Sequence, residues 1–496
     1  MLSMFFTDIP TAVLTCIVCT LMLWMTFRRP PGTPPGPGFP LPFLGHLLSI
    51  GKDPKKIFRK WHKQYGDIFS VYIGNRLVIV MNGYEVMKDA FVKHGDVFSD
   101  RPHVFVVDEI SNGMGVLGTS GQVWKEQRRF TLSTLRDFGM GKNMLQVKIN
   151  EESASFLEAI AETKGLKFDF RELIHTAVSN IITSVVFGKR FVYGDKFFKE
   201  LTSRIDQNLQ SAGATAGLNF IPLARYLPGD PFKFKRTLAN LAFFVNSLTK
   251  PSVTEHLKDY DESNIGDYVS AYIREIKRKE SENIESSINF DNLEKVIGDL
   301  FIAGTETTAT TIRWAVLLFL KYPEIQEKCF QEIKTNIGQE RLPEMSDKLK
   351  LPYVEATIAE VQRVANIIPV SVWHSVPHDV QFRGYTFHKG VTVVPNLDSV
   401  LMDPEVFQDP EKFRPERFLA DNGKFVKPDE FIPFFLGKRV CLGESLARME
   451  LFLFTTALIQ RFQFQQPADE PPPTMEAVPG VTFAPLPFKF IAAPRV

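Results

Sequence analysis

Apolar residues recur every three to four positions through most of the chain and alternate only in short stretches. The first spacing gives a helix one apolar face, and the second does the same for a strand. Helices are predicted over Pro54–Tyr65, Glu85–His94, Trp124–Leu135, Glu151–Ile160, Leu173–Phe187, Phe234–Ser247, Ile265–Glu280, Leu293–Lys321, Glu324–Ile337, Tyr353–Ala365 and Gly443–Phe462. Ile68–Val80, IFSVYIGNRLVIV, is β-branched and aromatic around a Gly-Asn pair, which is a hairpin pattern. Val380–Phe387 and Val391–Pro395 read as short strands, and a short β-rich stretch follows the last helix. The fold class is therefore α+β, mostly α.

Thr11–Phe27, TAVLTCIVCTLMLWMTF, carries no charge over 17 residues. That is the short end of a membrane-spanning helix, which needs about 17–25. Arg28 and Arg29 close it, and the positive-inside tendency keeps the chain beyond them cytosolic. A cleaved signal peptide fits less well, because Asp8 precedes the run and no small-residue cleavage site follows it. The reading is a signal-anchor transmembrane segment over 1–29, a stiff Pro-rich hinge over 30–45 and a single body over 46–496. Length alone would suggest about three domains, at roughly 150 residues each. No linker, composition break or internal repeat divides the body.

A net charge of +1 gives the whole chain no electrostatic claim on nucleic acid. Its four cysteines, Cys16, Cys19, Cys329 and Cys441, are too few for a disulfide scaffold and suit a reducing compartment. Cys16 and Cys19 have C-x-x-C spacing, but they sit in the apolar run with no second Cys or His pair nearby, which disfavours a metal or redox role.

Cys441 is different. Phe434–Gly443 reads FFLGKRVCLG, placing a cysteine just before a helix start, with Arg439 beside it and glycines on both sides. The positive end of a helix favours a thiolate. One thiolate without further sulfur ligands fits a haem iron better than zinc or an iron–sulfur cluster. A buried structural cysteine beside a Gly-rich turn fits these residues too. Three further groupings read first as ordinary structure. Glu360 and Arg363 share a helix face, as surface ion pairs do. Trp124 and Arg128 stand one turn apart and can both donate to a carboxylate, or simply belong to an amphipathic helix. Ala303–Thr308, AGTETT, are poor helix formers inside an apolar helix, and their hydroxyls compete for backbone carbonyls.

Phe434-x-x-Gly437-x-Arg439-x-Cys441-x-Gly443 resembles the cysteine-loop signature of the cytochrome P-450 family, and the other groupings follow that family's order along essentially the whole chain. The resemblance implies the cytochrome P450 fold, preceded by one N-terminal transmembrane helix. It implies haem b (iron protoporphyrin IX) with Cys441 as its metal ligand. Trp124, Arg128, His374 and Arg439 would bind the haem propionates. Glu306 and Thr307 would be the catalytic acid–alcohol pair, Thr307 holding dioxygen and ordered water while Glu306 relays protons. Glu360, Arg363 and Arg417, the last within Pro415–Phe418, would lock the cysteine loop. Asn112 aligns with a basic residue of some relatives, leaving one cation fewer for the propionates. Phe435 departs from the small residue many members carry.

The implied activity is insertion of one oxygen atom of dioxygen into a lipophilic substrate, as in the microsomal class that oxidises fatty acids, steroids and foreign compounds. Phe105, Val106, Val107, Phe243, Phe244, Ile302, Ile368, Val370, Val481 and Phe483 would make an apolar pocket. Electrons would come from NADPH–cytochrome P450 reductase, with cytochrome b5 as a further partner; Lys125, Arg129 and Lys438 are candidate docking cations, though surface charge accounts for any one of them. The location would be the endoplasmic reticulum membrane, single-pass, with the catalytic domain in the cytosol. Leu218–Leu227 would be a second bilayer contact. Two rival activities are an isomerase or dehydratase acting on lipid peroxides and a non-catalytic haem sensor or carrier; neither needs the Glu306–Thr307 pair.

Overall fold

The computed structural model describes residues 12–17, 29–42, 44–51, 53–139, 143–219 and 222–495. Most of the expected anchor, together with Cys19, Phe220 and Ile221, lies outside these residues. Residues 12–17 are helical, and no helix among the described residues is long and apolar enough to cross a membrane. The Pro-rich stretch is extended, as its prolines require, but it is bound to the body. Ser70 N donates to Pro35 O at 2.7 Å, Ser70 Oγ to Pro34 O at 2.7 Å and Thr386 N to Gly32 O at 2.8 Å.

Helix α1 (Pro54–Tyr65) starts as its sequence dictates. Pro54 takes the first helical position and Asp53 accepts from Lys55 N at 3.0 Å. Phe58 and Trp61, one turn apart, are its buried face. β1 (Ile68–Ile73) and β2 (Arg76–Met81) form the expected hairpin, with Gly74 and Asn75 as its turn. The main helices that follow are α2 (Gly121–Asp137), α3 (Asn143–Ala161), α4 (Arg171–Phe187), α5 (Lys196–Ala216), α6 (Phe234–Phe244), α7 (Tyr268–Ser281), α8 (Phe290–Lys321), α9 (Pro323–Asn336) and α10 (Pro352–Ala365). Strands β3 (His374–Ser375), β4 (Val380–Phe382), β5 (Tyr385–Phe387) and β6 (Thr392–Pro395) come next, then α11 (Glu444–Arg461) and the short strands β7 (Phe462–Gln465), β8 (Ala477–Val478), β9 (Ala484–Pro485) and β10 (Ile491–Pro494). One sheet has the order β1-β2-β6-β3, with β2 and β6 parallel and the other pairs antiparallel. The remaining strands pair as β4 with β5, β7 with β10 and β8 with β9.

The main core is helical, joining Phe156 of α3, Ile174 of α4, Phe301 and Ile312 of α8 and Phe452 of α11. From Thr308 to Phe319 every residue of α8 is buried, so that stretch of the helix is enclosed on all sides. Two expected helices change pitch. Glu85–His94 divides into an α turn at Tyr84–Lys88 and a π turn at Asp89–Lys93, and Phe234–Ser247 into α6 and a π turn at Val245–Thr249.

Helix α5 is absent from the sequence prediction. Its buried residues are only Phe198, Leu201, Ile205 and Thr215, and polar residues fill most of the rest. An apolar stripe that thin escapes periodicity. The readable signal is Asp195, whose carboxylate accepts from Phe198 N at 2.7 Å.

Candidate active site

The cysteine loop is closed by its own backbone. Cys441 N donates to Phe434 O at 2.9 Å and Val440 N to Gly437 O at 3.1 Å. Gly437 has φ 71°, and a Cβ there would lie 1.9 Å from the Phe91 carbonyl oxygen. Cys441 is exposed on one side, toward a cavity of about 300 Å³. Elsewhere protein crowds it. Its thiol is therefore not activated in the way the helix start suggests. Burial pushes it up, and Glu444 adds to this; the Gly443 N–H and the Arg128 charge pull it down by less.

Phe435 also lines this cavity, with φ 66°. A bulky residue in that region is an outlier, at a cost of about 1–3 kcal/mol. Its ring packs 5.0 Å from Phe91 and 5.2 Å from His374, between centroids.

Helix α8 forms the facing wall through Ala303, Gly304 and Thr307. A Cβ on Gly304 would approach Ile182 Cδ1 to 3.0 Å, so glycine there lets α8 pack closely on α4. Thr307 Oγ1 donates to Ala303 O at 2.8 Å and Thr311 Oγ1 to Thr307 O at 2.8 Å. The expected competition for carbonyls is present, yet α8 stays α-helical throughout.

Glu306 lies on a different side of α8. It opens on a second cavity of about 180 Å³ with Arg171, Asp206, Arg313 and Thr482. Its Oε1 accepts from Thr310 Oγ1 at 2.9 Å and Thr482 Oγ1 at 3.0 Å. Burial raises its pKa. His175 Nε2 stands 3.7 Å from Oε2, but burial holds that imidazole down to about 3, so the contact is not an ion pair at neutral pH. Thr307 and Glu306 are thus neighbours in sequence that serve separate cavities.

Trp124, Arg128, His374 and Arg439 all line the larger cavity, as does Arg101. Arg439 stacks 3.8 Å over the Trp124 ring and donates to Ser99 O at 2.7 Å and Thr119 O at 2.6 Å. Arg128 donates to Val440 O at 2.5 Å, and Arg101 to Trp373 O at 2.7 Å. Among the described residues no carboxylate forms an ion pair with any of these three guanidiniums. Burial, then mutual repulsion, holds Arg101 down to about 9 and Arg439 to about 8. Buried cations are normally paired. Arg439 is buried and Arg101 and Arg128 are half-buried, and three such unpaired guanidiniums lining one cavity with an open cysteine fit a planar group carrying two carboxylates.

Asn112 is not in the lining; it ends the helix Phe105–Ser111 in left-handed backbone with φ 51°. Arg101 adds a third guanidinium to this lining. Its signal was faint, an Arg-Pro pair in a loop. A second overlooked residue is Glu450 of α11, a buried acid facing the cavity and bonded to Thr308. Burial pushes it up to about 8. Of the expected pocket residues Ile368 lines the cavity, while Phe105 and Val106 pack against the Leu218 cluster and Val481 faces the second cavity.

Behind the loop, Arg363 Nε donates to Glu360 Oε2 at 2.7 Å and Nη2 to Oε1 at 2.8 Å, both side chains fully buried. Arg417 Nε donates to Glu360 Oε1 at 2.9 Å. Arg363 also bonds Leu401 O at 3.0 Å and Pro410 O at 2.8 Å, tying α10 to the irregular chain that leads to the cysteine loop.

The family model for Cytochrome P450 matches residues 34–492. The chain belongs to the cytochrome P450 family. It is 38% identical to cytochrome P450 2C23 of Rattus norvegicus over 99% of each chain. It is 39% identical to cytochrome P450 2E1 of Rattus norvegicus over 98% of this chain and 99% of the relative. It is also 39% identical to cytochrome P450 2D27 of Mesocricetus auratus over 93% of each. As a member of this family it is a haem-thiolate monooxygenase, an enzyme that carries haem b on a cysteine thiolate and oxidises lipophilic compounds with dioxygen.

Proposed function

We propose that Cys441 is the thiolate ligand of haem b, that Arg101, Trp124, Arg128, His374 and Arg439 hold its propionates, and that the substrate lies between it and α8. The observation that carries this is the cavity joining an open Cys441 to three unpaired guanidiniums. When bound, haem b supplies the iron centre at which dioxygen is reduced and split, with electron donation from the thiolate. The protein's share is positioning and protons. Thr307 presents a hydroxyl to the cavity and passes protons to oxygen there. Burial holds the Glu306 carboxyl proton to higher pH than an exposed glutamate would, and the second cavity is the side from which it is recharged. Ile367, Ile368, Val116, Leu117 and Leu300 give the substrate space an apolar lining, which suits fatty acids, steroids and foreign compounds.

Electrons come from NADPH through NADPH–cytochrome P450 reductase, with cytochrome b5 as a second donor. Lys125 and Arg129 are exposed for docking, whereas Lys438 is paired with Asp96. An anchor over 1–29 and a hinge over 30–45 hold the 46–496 body at the endoplasmic reticulum membrane, facing the cytosol. Leu223, Tyr226 and Leu227 are exposed and give the body a second bilayer contact.

With reductase and NADPH, a screen of polyunsaturated fatty acids, steroids and drug-like compounds should yield oxygenated product from at least one class. No product from any of them would contradict this reading. Thr307→Ala should lower product by about tenfold or more and raise peroxide released per NADPH. Unchanged coupling would remove the proton role from Thr307.

A further inference from the structure

The imidazole of His374 meets two acceptors with one proton. Its Nδ1 lies 2.6 Å from the Phe98 carbonyl oxygen. A carbonyl only accepts, so Nδ1 carries the hydrogen. The ring cannot easily turn away, because Phe91 packs against it at 4.6 Å and Phe435 at 5.2 Å between centroids. This gives the unusual Phe435 a positioning task. The charged groups facing the ring are Arg101 and Arg439, with Asp100 acting on Arg439. Burial first, and these guanidiniums second, hold the imidazole well below its ordinary value, so it is neutral at neutral pH. In that tautomer Nε2 is an acceptor. A propionate is an acceptor as well. The two cannot form a hydrogen bond unless one more proton arrives.

We infer that haem binding takes up a proton, shared between Nε2 of His374 and one propionate, as imidazolium with carboxylate or as imidazole with carboxylic acid. This rests on the reading that the cavity holds haem b with its propionates at the three guanidiniums. The proton is held to a higher pH in the loaded protein than in the empty one. Haem retention is therefore strongest at low pH and falls as pH rises between the two pKa values, by at most tenfold per pH unit. Ionisation of Cys441 on ligation acts in the opposite direction, and the arginines add their own response. Both are common to the wild type and a His374 variant, so they cancel in a ratio.

The test is loss of haem from the holoenzyme to excess apomyoglobin, followed by absorbance from about pH 6 to about pH 8. His374→Gln is the partner variant, because its amide can donate to a propionate at every pH. The wild-type rate divided by the His374→Gln rate should climb with pH, by up to tenfold per unit. A constant ratio overturns the inference. If the variant retains no haem, difference infrared spectra of the wild-type holoenzyme with carboxyl-labelled haem decide the matter. A titrating propionic acid or an imidazolium supports the shared proton; two ionised propionates beside a neutral imidazole at every pH overturn it. Protein purified without haem would instead fail the reading of the cavity, which keeps the two failures apart.

Discussion

Glu360→Ala should cost about 3–5 kcal/mol of stability and leave little folded, haem-loaded protein. The carboxylate accepts from Arg363, Arg417 and the backbone N–H of Arg414, the last at 2.9 Å. Its loss leaves two guanidiniums facing each other, one of them fully buried. Neither can reach water without opening the contact between α10 and the 401–418 segment. A pair removed as a whole and replaced by apolar groups is often harmless; a half-removed one is not. Urea unfolding followed by tryptophan emission gives the value. A loss below about 1 kcal/mol would show that the network behaves like a solvated surface pair.

Gly437→Ala should be nearly as damaging, through backbone geometry rather than charge. Left-handed backbone costs an alanine about 1–2 kcal/mol. The added Cβ would also sit 1.9 Å from the Phe91 carbonyl oxygen, which is main chain and has no rotamer to escape into. Either the cysteine loop or the π turn at Asp89–Lys93 has to move, and both line or support the cavity. Haem content per folded chain should drop about tenfold or more, since a 1.4 kcal/mol change in binding already gives tenfold. Gly298→Ala, where the added Cβ meets open space within α8, should leave haem content unchanged. Equal haem in both variants would mean that the loop adapts.

α1 was legible to the residue through its helical spacing, and the β1–β2 hairpin nearly so, whereas α3 begins at Asn143, well before the Glu151 start that its spacing predicted. α5 was not legible, because its stripe is thin and its neighbours are polar. The family resemblance named Cys441, the Glu360–Arg363–Arg417 network and Trp124, Arg128, His374 and Arg439, and these last four line one cavity with Cys441 and Arg101. It missed Arg101, because a loop residue distant in sequence has no periodicity to betray its direction. It also paired Glu306 with Thr307. Adjacent helical positions point about 100° apart, and here that angle sends them to different cavities. The thiol of Cys441 shows the same limit in energetic form. The helix start and the neighbouring arginine were readable, but the burial that outweighs them depends on packing that only the fold supplies.

The claim that matters most is that Cys441 ligates a haem iron in the cavity it shares with the three guanidiniums. The direct measurement is the absorbance of the purified, dithionite-reduced protein under carbon monoxide. The account predicts the far-red-shifted Soret band of a haem-thiolate in the wild type and its absence in Cys441→Ala. A wild-type protein with no haem, or the same band in both proteins, would contradict it.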